Sequence, residues 1–168
     1  AQKLEDTTMG WRFINPKLKE LYGVETMPQT AENVATQFNI HRADQDQFAL
    51  TSQQRTADAQ ARGFFDQEIV PVTIPQRKGE PVIISQDEHP RATTIEALTK
   101  LKPVVKADGS VTAGNASGIN DGAAASLIAS DEAIAQYGLK ARAKIIGATT
   151  VGVEPRIMGF APAPAIKK

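Results

Sequence analysis

Hydrophobic and polar positions follow a helical period through much of the chain. Leu18, Leu21 and Tyr22 recur at spacings of three and four, which gives a helix one apolar face. Asn15 is a suitable N-cap, and Pro16 suits the first helical position. Helices are predicted over about 16–22, from Thr30 to Phe38, over about 42–62 with a stop at Gly63, from Thr94 to about 101, and over about 131–137.

The longest predicted helix, over about 42–62, has a thin apolar face around Phe48 and Ala49. We therefore expect it to lie on the surface over a small core rather than at its centre. His41 stands at the N-cap position, and because histidine is a poor cap it is expected to contribute little.

The period changes in several later stretches. Runs at 69–74 and 81–84 are rich in Val and Ile and predict a hairpin of edge strands. A short apolar run at 123–129 has the length of a buried strand, and 143–153 is a longer strand candidate. The prolines near residue 163 predict that the last residues have no regular structure.

The composition limits the possible functions. The 168 residues carry 19 basic and 19 acidic side chains, so no charge excess indicates nucleic acid or an anionic membrane. No apolar run approaches the roughly 20 residues of a membrane span, and a cytoplasmic location is expected. The chain has no cysteine, which excludes disulfides and a thiol nucleophile within it. Since it also has only two histidines, we expect no metal site.

The run from Val111 to Ala125 is small and rich in glycine and alanine. Its glycines let another group approach the main chain closely, and Asn120-Asp121-Gly122 is a turn signal. From the residues alone, two interpretations stay open. The run binds an extended ligand, or it is a close-packed crossover without one.

The segment Thr112-Ala113-Gly114-Asn115-Ala116-Ser117-Gly118-Ile119-Asn120-Asp121-Gly122-Ala123-Ala124-Ala125 resembles the hallmark run of the thiolases, acyltransferases that use coenzyme A. The similarity continues in thiolase order at 30–35, 44–49, 68–71 and 150–155. Residues 6–17 are most similar to the thiolases that cleave 3-oxoadipyl-CoA.

The resemblance implies a partial α/β, thiolase-like fold. Residues 1–119 would be the coenzyme A-binding loop domain, 120–138 the last strand and helix of the first core half, and 139–168 the first strand of the second half. Thiolases attack with a cysteine, and their other catalytic segments have no match here. No catalytic residue is therefore assigned, and the chain alone is expected to be inactive.

The resemblance also implies residues that contact a coenzyme A thioester, which is a substrate rather than a tightly bound cofactor. Ser117 matches the serine that bonds the pantetheine arm, and Arg91 matches an arginine beside the adenine nucleotide. The others line the arm or the acyl end: Ala113, Ile119, Leu18, Met27 and Met158. Arg12 is a further hypothesis, as a partner for the terminal carboxylate of a dicarboxylic substrate.

Two other interpretations stay open for the chain as it stands. It is a coenzyme A-binding module without catalysis, or an assembly element that contributes oligomer contacts. The predicted strands at 123–129 and 143–153 would expose apolar edges if they were unpaired. We expect them to pair with another copy, with other thiolase segments or with each other.

Overall fold

The computed structural model describes residue 4 and residues 10–168. The part of the 3-oxoadipyl-CoA-like segment at 6–9 lies outside the described residues. The elements are, in order, α1 (Pro16–Tyr22), α2 (Met27–Gln37), α3 (Arg42–Ala61), β1 (Val72–Ile74), β2 (Val82–Ile84), α4 (Ile95–Thr99), α5 (Asp131–Tyr137), a 3-10 helix (Pro155–Phe160) and α6 (Pro162–Lys167).

Helix α1 has the predicted bounds and caps. The Asn15 side-chain oxygen accepts from the backbone N–H groups of Lys17 at 2.9 Å and Leu18 at 3.4 Å. Gly23 ends the helix with a φ of 71°, a value that glycine adopts without steric cost. The local sequence therefore sets where this helix begins and ends.

The predicted start of α2 at Thr30 is wrong, because the helix begins at Met27. Thr26 is the N-cap, and the Gln29 side chain accepts from its backbone N–H at 2.7 Å. Thr30 lies one turn inside, and its hydroxyl donates to the Met27 carbonyl. A helix N-terminus needs partners for its free N–H groups, and the pair Thr26–Gln29 supplies them earlier than Thr30 could.

Helix α3 confirms the prediction within one residue and ends before Gly63, whose φ is 67°. His41 is the N-cap and makes no side-chain cap bond. The predicted apolar face is wrong in its detail, since Phe48 is 79% exposed and the residue that α3 buries is Asp46. The helix contacts its neighbours through this buried carboxylate rather than through an apolar face.

The hairpin, α4 and α5 agree with the sequence. Strands β1 and β2 are antiparallel, with Thr73 opposite Ile83. Thr94 caps α4 by accepting from the Ala97 N–H, and Ser130 caps α5 by accepting from the Ala133 N–H, each at 3.2 Å.

The strands predicted at 123–129 and 143–153 are wrong for this chain. Both segments are described and carry no ladder hydrogen bonds. Their large apolar residues are exposed, including Leu127, Ile128 and Ile146. A strand needs a neighbour to bond its backbone, and the small sheet of the described chain is elsewhere.

The prediction of irregular structure at the end of the chain is also wrong. A 3-10 helix is followed by α6, in which Pro162 stands at the first position. Proline is tolerated in the first turn, because N–H groups there lack intrahelical partners anyway. This end packs on α2, where the Phe38 and Phe160 rings stack at 4.2 Å.

The apolar core of the described chain is small. It consists of Ala35, Leu98, Val111 and Ile157, while Thr30, Glu32, Asp46 and Thr112 are buried polar residues. Polar contacts therefore carry an unusual share of the packing.

Candidate functional site

The start of the glycine-rich run is held by a buried carboxylate on α2. One Glu32 oxygen accepts from the backbone N–H groups of Ser110 and Val111, each at 2.6 Å. The other accepts from the Ser110 hydroxyl at 3.2 Å. Since a buried carboxylate must be satisfied by donors, this contact fixes the backbone at 110–111 on α2.

A second buried carboxylate, on α3, holds the other end of the segment 110–115, which we call the anchored segment. Asp46 is 0% exposed and accepts from Arg42 Nε at 2.7 Å and from Asn115 Nδ2 at 3.0 Å. Arg42 Nη2 in turn donates to the carbonyl of Leu98 at 2.6 Å. Helices α3 and α4 are thus joined to the anchored segment by hydrogen bonds to charged groups, which are stronger than neutral ones.

Two glycines in the run allow close approach. A Cβ on Gly114 would lie 2.5 Å from methyl carbons of both Leu98 and Leu101. A Cβ on Gly118 would collide with the imidazole of His89. These contacts seat the run against α4 on one side and against the segment after the hairpin on the other.

Beyond the anchored segment, Ser117 lines a cleft of about 660 Å³, which we call the serine cleft. Its walls are α3, the segment 86–90 and the run 114–121. Asp87, Glu88 and Asp121 place three carboxylates in this lining. No hydrogen bond to another described residue engages the exposed Ser117 hydroxyl. The cleft therefore suits an uncharged polar chain better than an anion.

A second cleft, of about 280 Å³, brings together Leu18, Met27 and Met158. We call it the methionine cleft. Trp11 and Tyr22 complete its largely apolar wall, with the Trp11 indole N–H donating to the Glu25 carbonyl at 3.2 Å. A cavity with few polar groups and several flexible or aromatic side chains suits an apolar or mixed ligand group.

A third cleft, of about 270 Å³, contains Arg91, and we call it the arginine cleft. Gln53 and Pro90 line both this cleft and the serine cleft, so the two are neighbours. The Gln53 side-chain oxygen accepts from the Arg91 N–H at 3.0 Å. An extended ligand could reach from one cleft to the other across this shared wall.

The predicted ligand residues thus fall into three places. Ser117 is in the serine cleft, Arg91 in the arginine cleft, and Leu18, Met27 and Met158 together in the methionine cleft. Ala113 and Ile119 are exposed and line none of the three clefts.

Sequence reasoning missed Gln53 and His89 as lining residues and missed the carboxylates that hold the loop. Gln53 stands among many polar residues of α3 and carries no local signal. Glu32 and Asp46 lie near the starts of predicted helices, where a carboxylate complements the helix dipole, and this local role gives no sign of a contact with the loop. Their spacing from the loop, 78 and 69 residues, leaves no pattern that a single sequence could reveal.

The described part of the chain holds no group of three or more His, Cys, Asp or Glu side chains placed to bind a metal ion. Among the same residues, no helix has the length and apolar character needed to cross a bilayer.

Residues 2–132 match the family model for the N-terminal domain of thiolase. The chain belongs to the thiolase family. It is 82% identical over 169 residues to a beta-ketoadipyl-CoA thiolase of Acinetobacter baylyi, covering 100% of this chain and 42% of that relative. It is also 54% identical over 164 residues to the 3-oxoadipyl-CoA/3-oxo-5,6-dehydrosuberyl-CoA thiolase of Escherichia coli K12, covering 97% of this chain and 41% of that one.

Solved thiolase structures share the fold. The Bacillus anthracis acetyl-CoA acetyltransferase superposes with a TM-score of 0.77 at 46% identity, over 86% of this chain and 36% of that one. Human mitochondrial 3-ketoacyl-CoA thiolase gives 0.77 at 44% identity, over 84% and 36%. The fold is a partial thiolase-like α/β fold, and the chain spans about 42% of the length of the curated thiolases it matches.

Proposed function

We propose that these residues bind coenzyme A thioesters as part of a thiolase-type acyltransferase. The observation that carries the proposal is Ser117, which lies at a large cleft just beyond a firmly held backbone segment. A fixed backbone that presents a hydroxyl loses little entropy when it binds a flexible ligand arm.

The charges that line the clefts support one orientation of the bound coenzyme A thioester. The pantetheine arm, which is uncharged, would lie in the serine cleft, where three carboxylates disfavour phosphate. The phosphorylated nucleotide would lie near Arg91, across the shared wall of Gln53 and Pro90. The acyl end would lie toward the methionine cleft, where Met27 and Met158 meet.

The proposed reaction is the thiolytic cleavage of 3-oxoadipyl-CoA to succinyl-CoA and acetyl-CoA. A cysteine thiolate would attack the 3-oxo carbonyl, acetyl-CoA would leave, and free coenzyme A would release the succinyl group. The names of the relatives support this substrate. The chain contains no cysteine, so its proposed share of the work is to bind and orient the thioester, and we expect no turnover by the chain alone.

Two arginines are candidates to pair with the terminal carboxylate of that substrate. Arg12 follows Trp11, which lines the methionine cleft, and Arg156 lines the cleft itself. Arg156 Nη1 also donates to the Gln37 side chain at 3.0 Å. The same Arg156 nitrogen lies 3.7 Å from a carboxylate oxygen of Glu154. A guanidinium group can offer the paired donors that a carboxylate prefers.

The exposed apolar segments 123–129 and 143–153 support a role in assembly. We propose that they pack against further thiolase segments or a second copy in a cytoplasmic oligomer. The division at residues 119 and 138, which the thiolase resemblance implies, is part of this proposal, with the binding loop before residue 119 and core segments after it. The two alternatives predict different results. A coenzyme A-binding module without catalysis would bind coenzyme A with no dependence on such packing, and an oligomerisation module would pack without needing coenzyme A.

The proposal can be tested in a chimera in which these 168 residues replace the aligned region of the Acinetobacter baylyi relative. Ser117→Ala should raise the coenzyme A Kd, measured by calorimetry, roughly 3- to 10-fold, because one hydrogen bond is lost. Ser85→Ala is the matched control, since Ser85 is exposed and lines none of the clefts.

Equal Kd values for Ser117→Ala and the unsubstituted chimera would overturn the assignment of the serine cleft. Activity is tested separately with the isolated chain. We expect no thiolysis of 3-oxoadipyl-CoA or acetoacetyl-CoA, and measurable thiolysis by the purified chain would contradict the proposed division of labour.

A further inference from the structure

Two buried carboxylates have no role in the proposed chemistry. Glu32 on α2 and Asp46 on α3 are among the most buried side chains of the described residues. Taking a carboxylate out of water is costly unless donors satisfy it. Glu32 is satisfied by Ser110 and Val111 of the anchored segment, 110–115, which comes from a distant part of the sequence. Asp46 is satisfied by Asn115 of that segment together with Arg42 of its own helix. The arrangement fixes that segment more firmly than packing by its small side chains could.

Asn115 is the residue through which Asp46 acts. Its Nδ2 donates to Asp46 Oδ1 and to the Ser110 carbonyl, each at 3.0 Å, and its Oδ1 accepts from the Thr112 N–H at 2.7 Å. The opposite orientation of the amide would turn an oxygen toward the carboxylate and toward a carbonyl. Only one orientation satisfies all three partners.

The other side of the Asp46 carboxylate is held as firmly. Arg42 donates to it through Nε at 2.7 Å, and Arg42 Nη2 donates to the Leu98 and Leu101 carbonyls at 2.6 and 3.2 Å. The carboxylate therefore has a fixed position relative to α3 and to the end of α4. The hydrogen bond from Asn115 to Asp46 fixes the Asn115 side chain relative to the same two helices.

We propose that Asn115, oriented by Asp46, is a positioning residue that sets the location of Ser117 in the serine cleft. Glu32 holds the entry of the anchored segment and Asn115 holds its exit, two residues before Ser117. The exit determines where the chain enters the cleft. This inference rests on the proposed function, because its effect is exerted through a Ser117 contact with coenzyme A.

The test uses the same chimera and a double-mutant cycle. Asn115→Ala should raise the coenzyme A Kd by no more than Ser117→Ala does, roughly 3- to 10-fold, and leave kcat within about twofold, since it changes binding and not the chemical step. The double variant Asn115→Ala/Ser117→Ala should bind no worse than Ser117→Ala alone. Two residues that act through one contact give non-additive losses.

Ser130→Ala controls for loss of stability, because it removes the cap of α5 away from the clefts. It should lower Tm without changing the Kd. If Asn115→Ala does not fold, Asp46→Asn is the second variant, because it removes the charge of Asp46 and keeps the shape of its side chain. It should raise the coenzyme A Kd less than Asn115→Ala would and show the same non-additivity with Ser117→Ala.

The outcomes separate the two ideas. If Ser117→Ala does not change the Kd, the proposed function fails. If Ser117→Ala weakens binding while Asn115→Ala or Asp46→Asn leaves the Kd unchanged, the positioning role fails and the function stands. Losses that multiply in the double variant would also overturn the positioning role, since they would show that Asn115 acts independently of Ser117.

Discussion

Two regions of this thiolase chain differ sharply in how they are held. The anchored segment, 110–115, makes hydrogen bonds to α2 and α3 and has the buried residues Val111 and Thr112. The segments 123–129 and 143–153 have no ladder bonds within the described chain and expose their apolar residues. The first region finds its partners within the described residues, whereas the second has no strand partner among them.

The difference shows where the apolar pattern of the sequence does not predict the structure. The alternating and apolar runs at 123–129 and 143–153 are stronger strand signals than anything at 110–115. A helix satisfies its own backbone, whereas a strand depends on a neighbour that another part of a protein must supply. The segment 110–115 has the weaker sequence signal, but hydrogen bonds to two carboxylates give it the better-defined structure.

The largest expected effect comes from removing a charge from the anchored region. Arg42→Ala leaves the buried Asp46 carboxylate without its cationic partner and should lower the free energy of unfolding by about 3 kcal/mol. Arg142→Ala is the matched control, because Arg142 pairs with Glu68 in solvent and its loss should cost less than about 1 kcal/mol. Urea denaturation of both variants measures the difference, and similar losses would contradict the contrast between the regions.

A smaller effect separates two glycines of the same run. Gly114→Ala places a methyl group against Leu98 and Leu101 and should cost about 1 to 3 kcal/mol by overpacking. Gly122→Ala meets no atom within 4 Å and should cost nothing measurable, or stabilise slightly by restricting the unfolded chain. The two variants differ only in position. If Gly114→Ala and Gly122→Ala lowered the urea midpoint equally, the expected difference in packing between the two glycines would be contradicted.

The helix caps give an effect that depends on pH. The pKa of Glu132 lies below its ordinary value, mainly because its own backbone N–H donates to the carboxylate and secondarily because of the Ser130 side chain. A lowered folded pKa means that the stabilisation is present above the ordinary pKa of 4.5 and is lost as the pH falls through the folded pKa. Ser130→Ala should cost about 1 kcal/mol at neutral pH and move the Glu132 pKa upward. An NMR titration of the Glu132 carboxyl checks this, and an unmoved pKa would rule out a contribution from Ser130.

Much of the fold follows from local sequence. Asn15 with Pro16, Thr94 and Ser130 place helix starts correctly, because capping uses residues within one turn. The same reasoning misplaced the start of α2 at Thr30, since Thr26 with Gln29 forms a capping box that is equally local. At α2, local reasoning fails because two local cap signals compete.

The candidate site was predictable in a different way. The resemblance to thiolases, not the physical pattern, led to Ser117 and to the residues that meet in the methionine cleft. The roles of Glu32 and Asp46 could not be predicted, because a carboxylate in a helix looks the same whether water or a distant N–H satisfies it. Long-range polar pairing leaves no periodicity in a single sequence.

The smallest expected effect tests the exposed region directly. Ile146 is 96% exposed, so Ile146→Asp should change the free energy of unfolding of the isolated chain by less than about 0.5 kcal/mol. Ile157→Asp, the matched control, buries a charge next to α2 and should unfold much of the chain. In the chimera, where we propose that 143–153 packs against other thiolase segments, Ile146→Asp should instead lower Tm strongly. An isolated chain that loses as much stability as the chimera would show that the segment already has its partner within these residues, and the contrast between the two regions would then disappear.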